Sequence, residues 1–318
     1  MAWGCLHHGY PSRVLPSVPG SRTWAGDAEP ESMVVSLQTG ERIHYLEWAG
    51  DPAAPPIVLI HGLGWDLNGG KQLSTWFCTT QFNPIKAVVF DFADSRGGQH
   101  ARDFLGLPGE QGWRGKLVCD DFSGYKACFE LGVTEVGCMA HARRKFHELW
   151  ANHGSQVGEQ ALKFFGQLYD VEREVADNDA EHRREVRRQR SRSVADALHQ
   201  WLVQQRQKVP DGSATAKGID YSLNRWAALT RYIDDGDLPV DNNWVENQIR
   251  PIALGRNNWL FAGSMRAGKR AAAVMSLIHS ARLNGLDPYA YIRDVLERLP
   301  TQPASRISEL LPHRWHTP

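Results

Sequence analysis

Two rhythms of apolar and polar residues divide the chain. Up to about residue 138 the apolar residues come in short runs bounded by Gly and Pro; beyond it they recur every three or four positions. The first rhythm predicts strands and the second amphipathic helices. MVVSLQTG, ERIHYLEWAG and PPIVLIHGLG, starting at Met33, read as three short strands separated by turns. The third is continuously apolar, as expected of a buried strand. After the turn-rich joint LNGGKQLS come strand candidates near Thr75–Cys78 and Lys86–Phe92, and RDFLGLP suits a short helix. Lys116–Cys119 reads as a strand running into Asp120, followed by a helix near Tyr125–Leu131. TEVGC then gives a short strand that leads into a helix from about Ala140.

From Glu159 to Lys208 the helical period is sustained by Ala161, Phe164, Leu168, Val171 and Val175, and later by Val194, Leu198 and Leu202. Further helices are expected over Tyr221–Tyr232, Asn243–Arg250, Gly268–Leu283 and Pro288–Leu299, with a Pro- and Ser-bearing tail from Thr301. Residues 1–31, rich in Gly, Pro and Ser and without period, read as a disordered leader.

Composition narrows the class. The chain has 318 residues and a hydrophobic fraction of 42%, which suits a folded protein of one large or two ordinary domains. Lys+Arg and Asp+Glu balance at 36 each, so net charge alone predicts no polyanion partner, although Glu181–Arg192 is densely basic. The five cysteines are dispersed without a C-x-x-C pair, which argues against a disulfide framework and for a reducing compartment. Cys138 and His141 form one metal-ligand pair, but zinc takes about four ligands and no second pair stands nearby. No apolar run approaches the ~20 residues of a membrane span, and MAWGCLHHGYPSR has no signal-peptide pattern. A cytoplasmic protein is expected.

Three stretches carry candidate chemistry. In VCDDFSGYK, Asp120 stands at the end of an apolar strand with Asp121 next to it, and only one of the two should face a site. Either Asp120 presents a carboxylate at the sheet's carboxyl edge, or the pair caps the following helix. In CMAHARRKFHE, His141 and Arg144 lie three apart and Arg143 and His147 four apart, a basic helical side that is either solvated or turned to phosphate. In DNNWVENQIRP, Asp241 or Asn242 can cap a helix that Pro251 ends or kinks. Asn243, Glu246, Asn247 and Arg250 share one face of that helix. There Glu246 is either a site carboxylate or half of a surface pair with Arg250 worth a few tenths of a kcal/mol.

The stretch from Met33 to Asp66 resembles the opening strands of the α/β-hydrolase family, where His-Gly after the third strand lies beside the oxyanion hole. No G-x-S-x-G elbow follows, so such a hole would have no nucleophile to serve. The bland reading is a fused fragment over residues 32–73.

VVFDFADSRGGQHARDFL, GKLVCDDFSGYKACFELGVTEVGCMAHARRKFHEL, PDGSATAKGIDYSLNRW and DNNWVENQIRPIALGRNNWLFAGS resemble the insertion sequence 66 family of bacterial transposases. SLIHSARLNGLDPYAYIRDVLERLP through ELLPHRW resembles that family's C-terminal element. The resemblance implies an α/β, ribonuclease-H-like mixed sheet with a large helical insertion near 150–235. The core would span 74–265 and a helical C-terminal element 266–318. It implies three carboxylates holding two Mg²⁺ or Mn²⁺ ions for DNA strand cleavage and transfer. Carried over position by position, Asp120 matches the second acid and Glu246 the third, both as catalytic groups and metal ligands. Arg143, Arg144, Arg250 and Arg256 become expected DNA contacts, and the Arg-rich insertion an expected DNA-binding surface. Partners would be transposon-end and target DNA and a second copy of the chain, with a bacterial, nucleoid-associated location and no membrane.

One part of the family pattern is not found. The first acid belongs to a His-Ala-Asp-Glu-Thr-like motif on the first core strand, and that stretch is replaced here by the hydrolase-like segment. Asp66 follows no matching motif. Asp91 and Asp94 would sit on the third strand of the meander, roughly 14 Å from Asp120 at ~4.8 Å per strand, too far for ions ~3.5–4 Å apart. The sheet is therefore expected to lack its first strand unless the hydrolase-like strands pair in its place. Transposition activity is expected to be impaired, with a non-catalytic DNA-binding remnant as the alternative and an esterase as a lesser one.

Overall fold

The computed structural model describes residues 86–93, 95, 97–109, 112–250 and 264–316 with their side chains, and only the backbone of the further strand and helix segments named below. Strands β1 (Cys5–Leu6), β2 (Glu31–Ser36) and β3 (Arg42–Glu47) form an antiparallel sheet in the order β1-β3-β2. A second sheet contains β4 (Ile57–His61), β5 (Gln72–Thr79), β6 (Val88–Ala93), β7 (Lys116–Cys119) and β8 (Thr134–Gly137) in the order β6-β5-β4-β7-β8. The helices are α1 (Gly98–Phe104), α2 (Lys126–Glu130), α3 (Met139–His153), α4 (Gln156–Glu174), α5 (Ala180–Val186), α6 (Arg192–Arg206), α7 (Ala214–Asn224), α8 (Trp226–Thr230), α9 (Asn243–Gly255), α10 (Met265–Leu283) and α11 (Pro288–Arg298). Helix dominates the chain, around a small sheet whose β4, β7 and β8 run parallel. Among the described residues no helix is long and apolar enough to cross a membrane.

The gap expected beside β7 is filled. IVLIH of the hydrolase-like segment forms β4, which pairs parallel with β7 (Leu59 opposite Val118) and antiparallel with β5 (Leu59 opposite Cys78). An uninterrupted apolar run is what an interior strand covered on both faces requires. The β6 strand that carries Asp91 lies beyond β5 and β4 from β7, as the meander predicts. A proline inside the middle strand removes a ladder donor. Leu59→Pro is therefore expected to abolish cooperative thermal unfolding of the sheet, read by circular dichroism. An unchanged transition would show that β4 contributes nothing to it.

Edge strand β6 is covered by α10. The Ser280 hydroxyl accepts from the Val88 N–H at 3.0 Å and the Ser276 hydroxyl from the Phe90 N–H at 2.8 Å, so two donors of a buried sheet edge are satisfied by a helix. Gly268 lets the first turn of α10 lie against the Phe92 ring, where a Cβ would collide. Farther on, α10 and α11 close a small core around Tyr291 and Trp315, with Tyr291 Oη donating to the Leu310 carbonyl at 2.7 Å.

Most helical expectations hold, with two differences in the helices and one in the leader. The Tyr221–Tyr232 helix is broken at Arg225 into α7 and α8, where the backbone turns to φ −111°, ψ 15°. Pro251 does not end its helix: α9 continues to Gly255, since a proline deletes one hydrogen bond and the turns beyond can still close. Cys5–Leu6, within the expected leader, pairs with β3; the rest of residues 1–30 lies outside the described residues.

The insertion packs onto the sheet through one continuous core. Phe165 and Leu168 of α4, Leu198 and Leu202 of α6 and Ile219 of α7 join Val118 and Val136 of the sheet. The Arg-rich run turns inward or pairs with neighbours. Arg187, fully buried, holds Glu172 with two bonds (2.8 and 2.5 Å) and donates to the carbonyls of Tyr232, Asp235 and Leu238 at 3.0, 2.9 and 3.0 Å. Arg183 donates to the Gly236 carbonyl at 2.7 Å. Arg188 and Arg192 pair with Asp234, Arg190 with Glu174, and Arg184 with Glu181. The run expected to face DNA is thus neutralised within the chain by acids and carbonyls 3 to 53 residues away.

Candidate active site

The sheet and α3 bring Asp120, His141 and Glu246 to one place. Asp120 leaves the carboxyl end of β7, half-buried, and its Oδ1 accepts the Phe122 N–H at 3.1 Å. That bond is local, two residues on. It is not a helix cap, because the short helix beginning at Ser123 has Phe122 at its N-cap and no side-chain capping bond. Asp121 points elsewhere: it is exposed and lies 3.7 Å from the Arg225 guanidinium. The two carboxylates of the pair therefore have different partners.

Glu246 sits in the first turn of α9, whose start is fastened to the start of α3. The Met139 N–H donates to the Val240 carbonyl at 3.1 Å, and the Cys138 thiol donates to the buried Asn242 Oδ1 at 3.0 Å. Asp241 accepts from the Tyr169 hydroxyl at 2.7 Å and from the Asn243 N–H at 3.0 Å. These contacts aim the Glu246 carboxylate at α3, where Oε1 lies 3.5 Å from His141 Nε2 and Oε2 lies 3.9 Å from Arg144. The Cys138–His141 ligand pair does not form. Burial pushes the Cys138 thiol up to about 12, so it remains a protonated donor to Asn242.

Burial raises the Glu246 carboxyl above its ordinary range; Arg144 opposes the shift, while Asp120 and Asp241 add to it. The His141 imidazole is held below its usual range, first by burial, with Asp120 opposing and Arg144 and Arg225 adding. At neutral pH the ring is uncharged, so the His141–Glu246 approach is not an ion pair. His141 Nδ1 is buried without a hydrogen-bond partner among the described residues. Two carboxylates that repel each other across a half-buried site are an arrangement a cation relieves.

The raised Glu246 carboxyl has a consequence for stability. Below the ordinary glutamate value of 4.5 the group is protonated whether the chain is folded or not, and burial of its charge costs nothing. As pH rises, the unfolded chain releases the proton first, so folding loses stability until pH passes the raised value. Glu246→Gln, neutral throughout, is expected to raise the thermal midpoint in chelator-treated buffer at pH 7, with the gain vanishing below pH 4.5. A gain equal at both pH values would contradict the buried-carboxylate account.

Of the expected DNA contacts, Arg144 flanks Glu246, and Arg143 and Arg250 are exposed on α3 and α9. Arg256, Asp66 and Asp94 lie outside the described residues. Arg225 was not visible in the sequence as a site residue. It is buried beside Asp120, and its partners stand 90 and 105 residues away. As a donor set, Asp120 and Glu246 suit one hard cation that keeps most of its waters. Among the described residues no three His, Cys, Asp or Glu converge as a metal-holding group.

Comparisons with known proteins place the chain. The model of the transposase IS66 family matches residues 67–270, and that of the IS66 C-terminal element matches residues 276–313. The uncharacterized protein y4hP of Sinorhizobium fredii is 35% identical over 246 residues, which are 72% of this chain and 44% of its own length. The uncharacterized protein y4jD of the same organism is 34% identical over 238 residues, 72% of this chain and 46% of its own. The chain thus spans less than half the length of these curated relatives. No solved structure matches it.

Proposed function

The chain belongs to the transposase IS66 family, and on that premise we propose that it acts on DNA through a ribonuclease-H-like core in which Asp120 and Glu246 hold one divalent cation. The observation that carries this reading is the convergence of these two acids, from strand and helix 126 residues apart, into a half-buried site where the Asp120 charge adds to the upward shift of Glu246. The fold assignment is supported by strand order. Three strands run as an antiparallel meander, β4 to β6, whose first member also pairs parallel with β7, and β7 with β8.

A bound Mg²⁺ or Mn²⁺ would supply a polarised phosphoryl oxygen and an activated water or 3′-hydroxyl. The chain's own residues do the rest. Asp120 and Glu246 would hold the ion; Arg143 and Arg144 of α3 and Arg250 of α9 would draw the phosphate backbone toward it. His141, neutral at working pH, can hold or pass a proton at Nε2 beside Glu246.

Activity in this reading is reduced relative to a three-acid site. The strand that pairs parallel with β7, Ile57–His61, contains no aspartate. The same fact supports a second reading, a DNA-binding remnant. Supercoiled plasmid DNA incubated with the protein tests both. Slow nicking that requires Mn²⁺ or Mg²⁺ and stops with chelator is the expected result. Binding that weakens with salt but never nicks, with either ion, would overturn the catalytic reading in favour of the remnant.

A further inference from the structure

Arg225 stands at the break between α7 and α8, 8% exposed, with its guanidinium fork shared among four groups. Nε and Nη2 donate to Glu135 Oε1 at 3.0 and 2.5 Å, Nη1 to the Tyr221 hydroxyl at 2.9 Å, and Nη2 also to the main-chain carbonyl of Asp120 at 3.2 Å. Asp121 Oδ1 completes the set at 3.7 Å. A buried guanidinium satisfied by one carboxylate would already explain a structural pair. The carbonyl of Asp120 is a further target, and it belongs to the residue that supplies the site's acid.

The backbone around Asp120 is held from the other side as well. The preceding carbonyl, of Cys119, accepts the Cys138 N–H at 3.2 Å, at the start of α3. With one carbonyl fixed to α3 and the next to Arg225, the peptide plane of Asp120 has little freedom, and its Cα–Cβ direction is set. Charge is sorted too. Asp120, Asp121 and Glu135 lie together; Arg225 neutralises Asp121 and Glu135, which leaves Asp120 to take an outside cation. The planar fork matters, because a lysine is a point charge that cannot serve carboxylate, phenol and carbonyl at once.

We propose that Arg225 is a positioning residue that fixes the Asp120 carboxylate for cation binding, and so makes the helical insertion part of the active site. This rests on the reading of Asp120 and Glu246 as a cation site. Tyr221 serves the same device at one remove: it accepts Lys145 over its ring at 4.7 Å and gives Arg225 its oxygen.

The test is Mn²⁺ affinity of the full chain, read by electron paramagnetic resonance of free Mn²⁺, for wild type, Arg225→Lys, Tyr221→Phe and Asp120→Asn. Arg225→Lys keeps the charge and is expected to weaken Mn²⁺ binding about tenfold, the scale typical of groups that orient a metal ligand. Tyr221→Phe, a milder change that leaves the guanidinium in place, is expected to weaken it severalfold while the thermal midpoint stays near that of wild type. Wild-type affinity in both variants would overturn the proposal while leaving the cation site intact. Loss of binding in Tyr221→Phe only in proportion to a fallen midpoint would reduce Arg225 to a structural pair and overturn it as well. A wild-type chain whose Mn²⁺ binding equals that of Asp120→Asn would defeat the cation site itself, and the proposal with it.

Discussion

Asp120→Asn and Glu246→Gln are each expected to lower divalent-ion-dependent DNA nicking by at least ~100-fold while leaving DNA affinity within a few-fold. The magnitude follows from the small number of ligands. With two carboxylates anchoring one ion, losing either removes half the protein's hold, and even groups behind a ligand cost 10- to 100-fold when changed. Affinity for DNA should barely move, because in the proposed reading it comes from exposed arginines such as Arg143 and Arg250, which both substitutions leave in place. The Gln variant carries a further signature: it is expected to be more stable than wild type at neutral pH, since the buried Glu246 carboxylate costs folding energy there. Lost activity together with gained stability marks a group kept for chemistry. Equal nicking by wild type and both variants would place the chemistry elsewhere.

Arg187→Met is expected to destabilise the fold by about 3–5 kcal/mol, the cost of stranding one member of a buried ion pair. Glu172, whose side chain is 11% exposed, would lose both of its bonds, and the carbonyls of Tyr232, Asp235 and Leu238 would each lose one donor, with Tyr232 and Asp235 keeping a backbone N–H. In a chain of this size such a loss lowers the thermal midpoint on the order of 10 °C. Adding Glu172→Leu should recover part of it, since the stranded charge is gone, but not all, since the three carbonyl bonds from Arg187 stay lost. Arg188→Met, in an exposed pair with Asp234, is the control and should cost under about 1 kcal/mol. Because residues 232–238 lead directly into α9, the Arg187 variant should also weaken cation binding at Glu246. Chemical denaturation of the four proteins measures the stabilities; similar midpoints for Arg187→Met and Arg188→Met would refute the buried hub.

Local pattern made much of this molecule legible. The period-three-and-four spacing from Ala161 to Leu202 placed α4 and α6, and the apolar run ending at Cys119 placed β7 with Asp120 at its exit. Glu246 could be set on a helix among amides and a guanidinium, although the sequence left it open whether that face met solvent. What stayed hidden depends on distant partners. Glu181–Arg192 looked like a free basic surface because Glu172, Glu174 and Asp234, which neutralise it, are not local to the run. Arg225 looked like one arginine among 36 basic residues, since Glu135 and Asp120 meet it only across the fold. The strand IVLIH carried the pattern of any buried strand, and nothing in five apolar-rich residues says which sheet they join. Nothing in the expected Gly268–Leu283 helix marked Ser276 and Ser280 as the groups that cover the edge of β6.

The central claim, a cation held by Asp120 and Glu246, is most directly tested by counting Mn²⁺ ions bound per chain, using electron paramagnetic resonance at matched protein and metal concentrations. Wild type is expected to bind one ion that Asp120→Asn and Glu246→Gln each release, with their folds intact by circular dichroism. Binding that both variants retain at wild-type stoichiometry would contradict it.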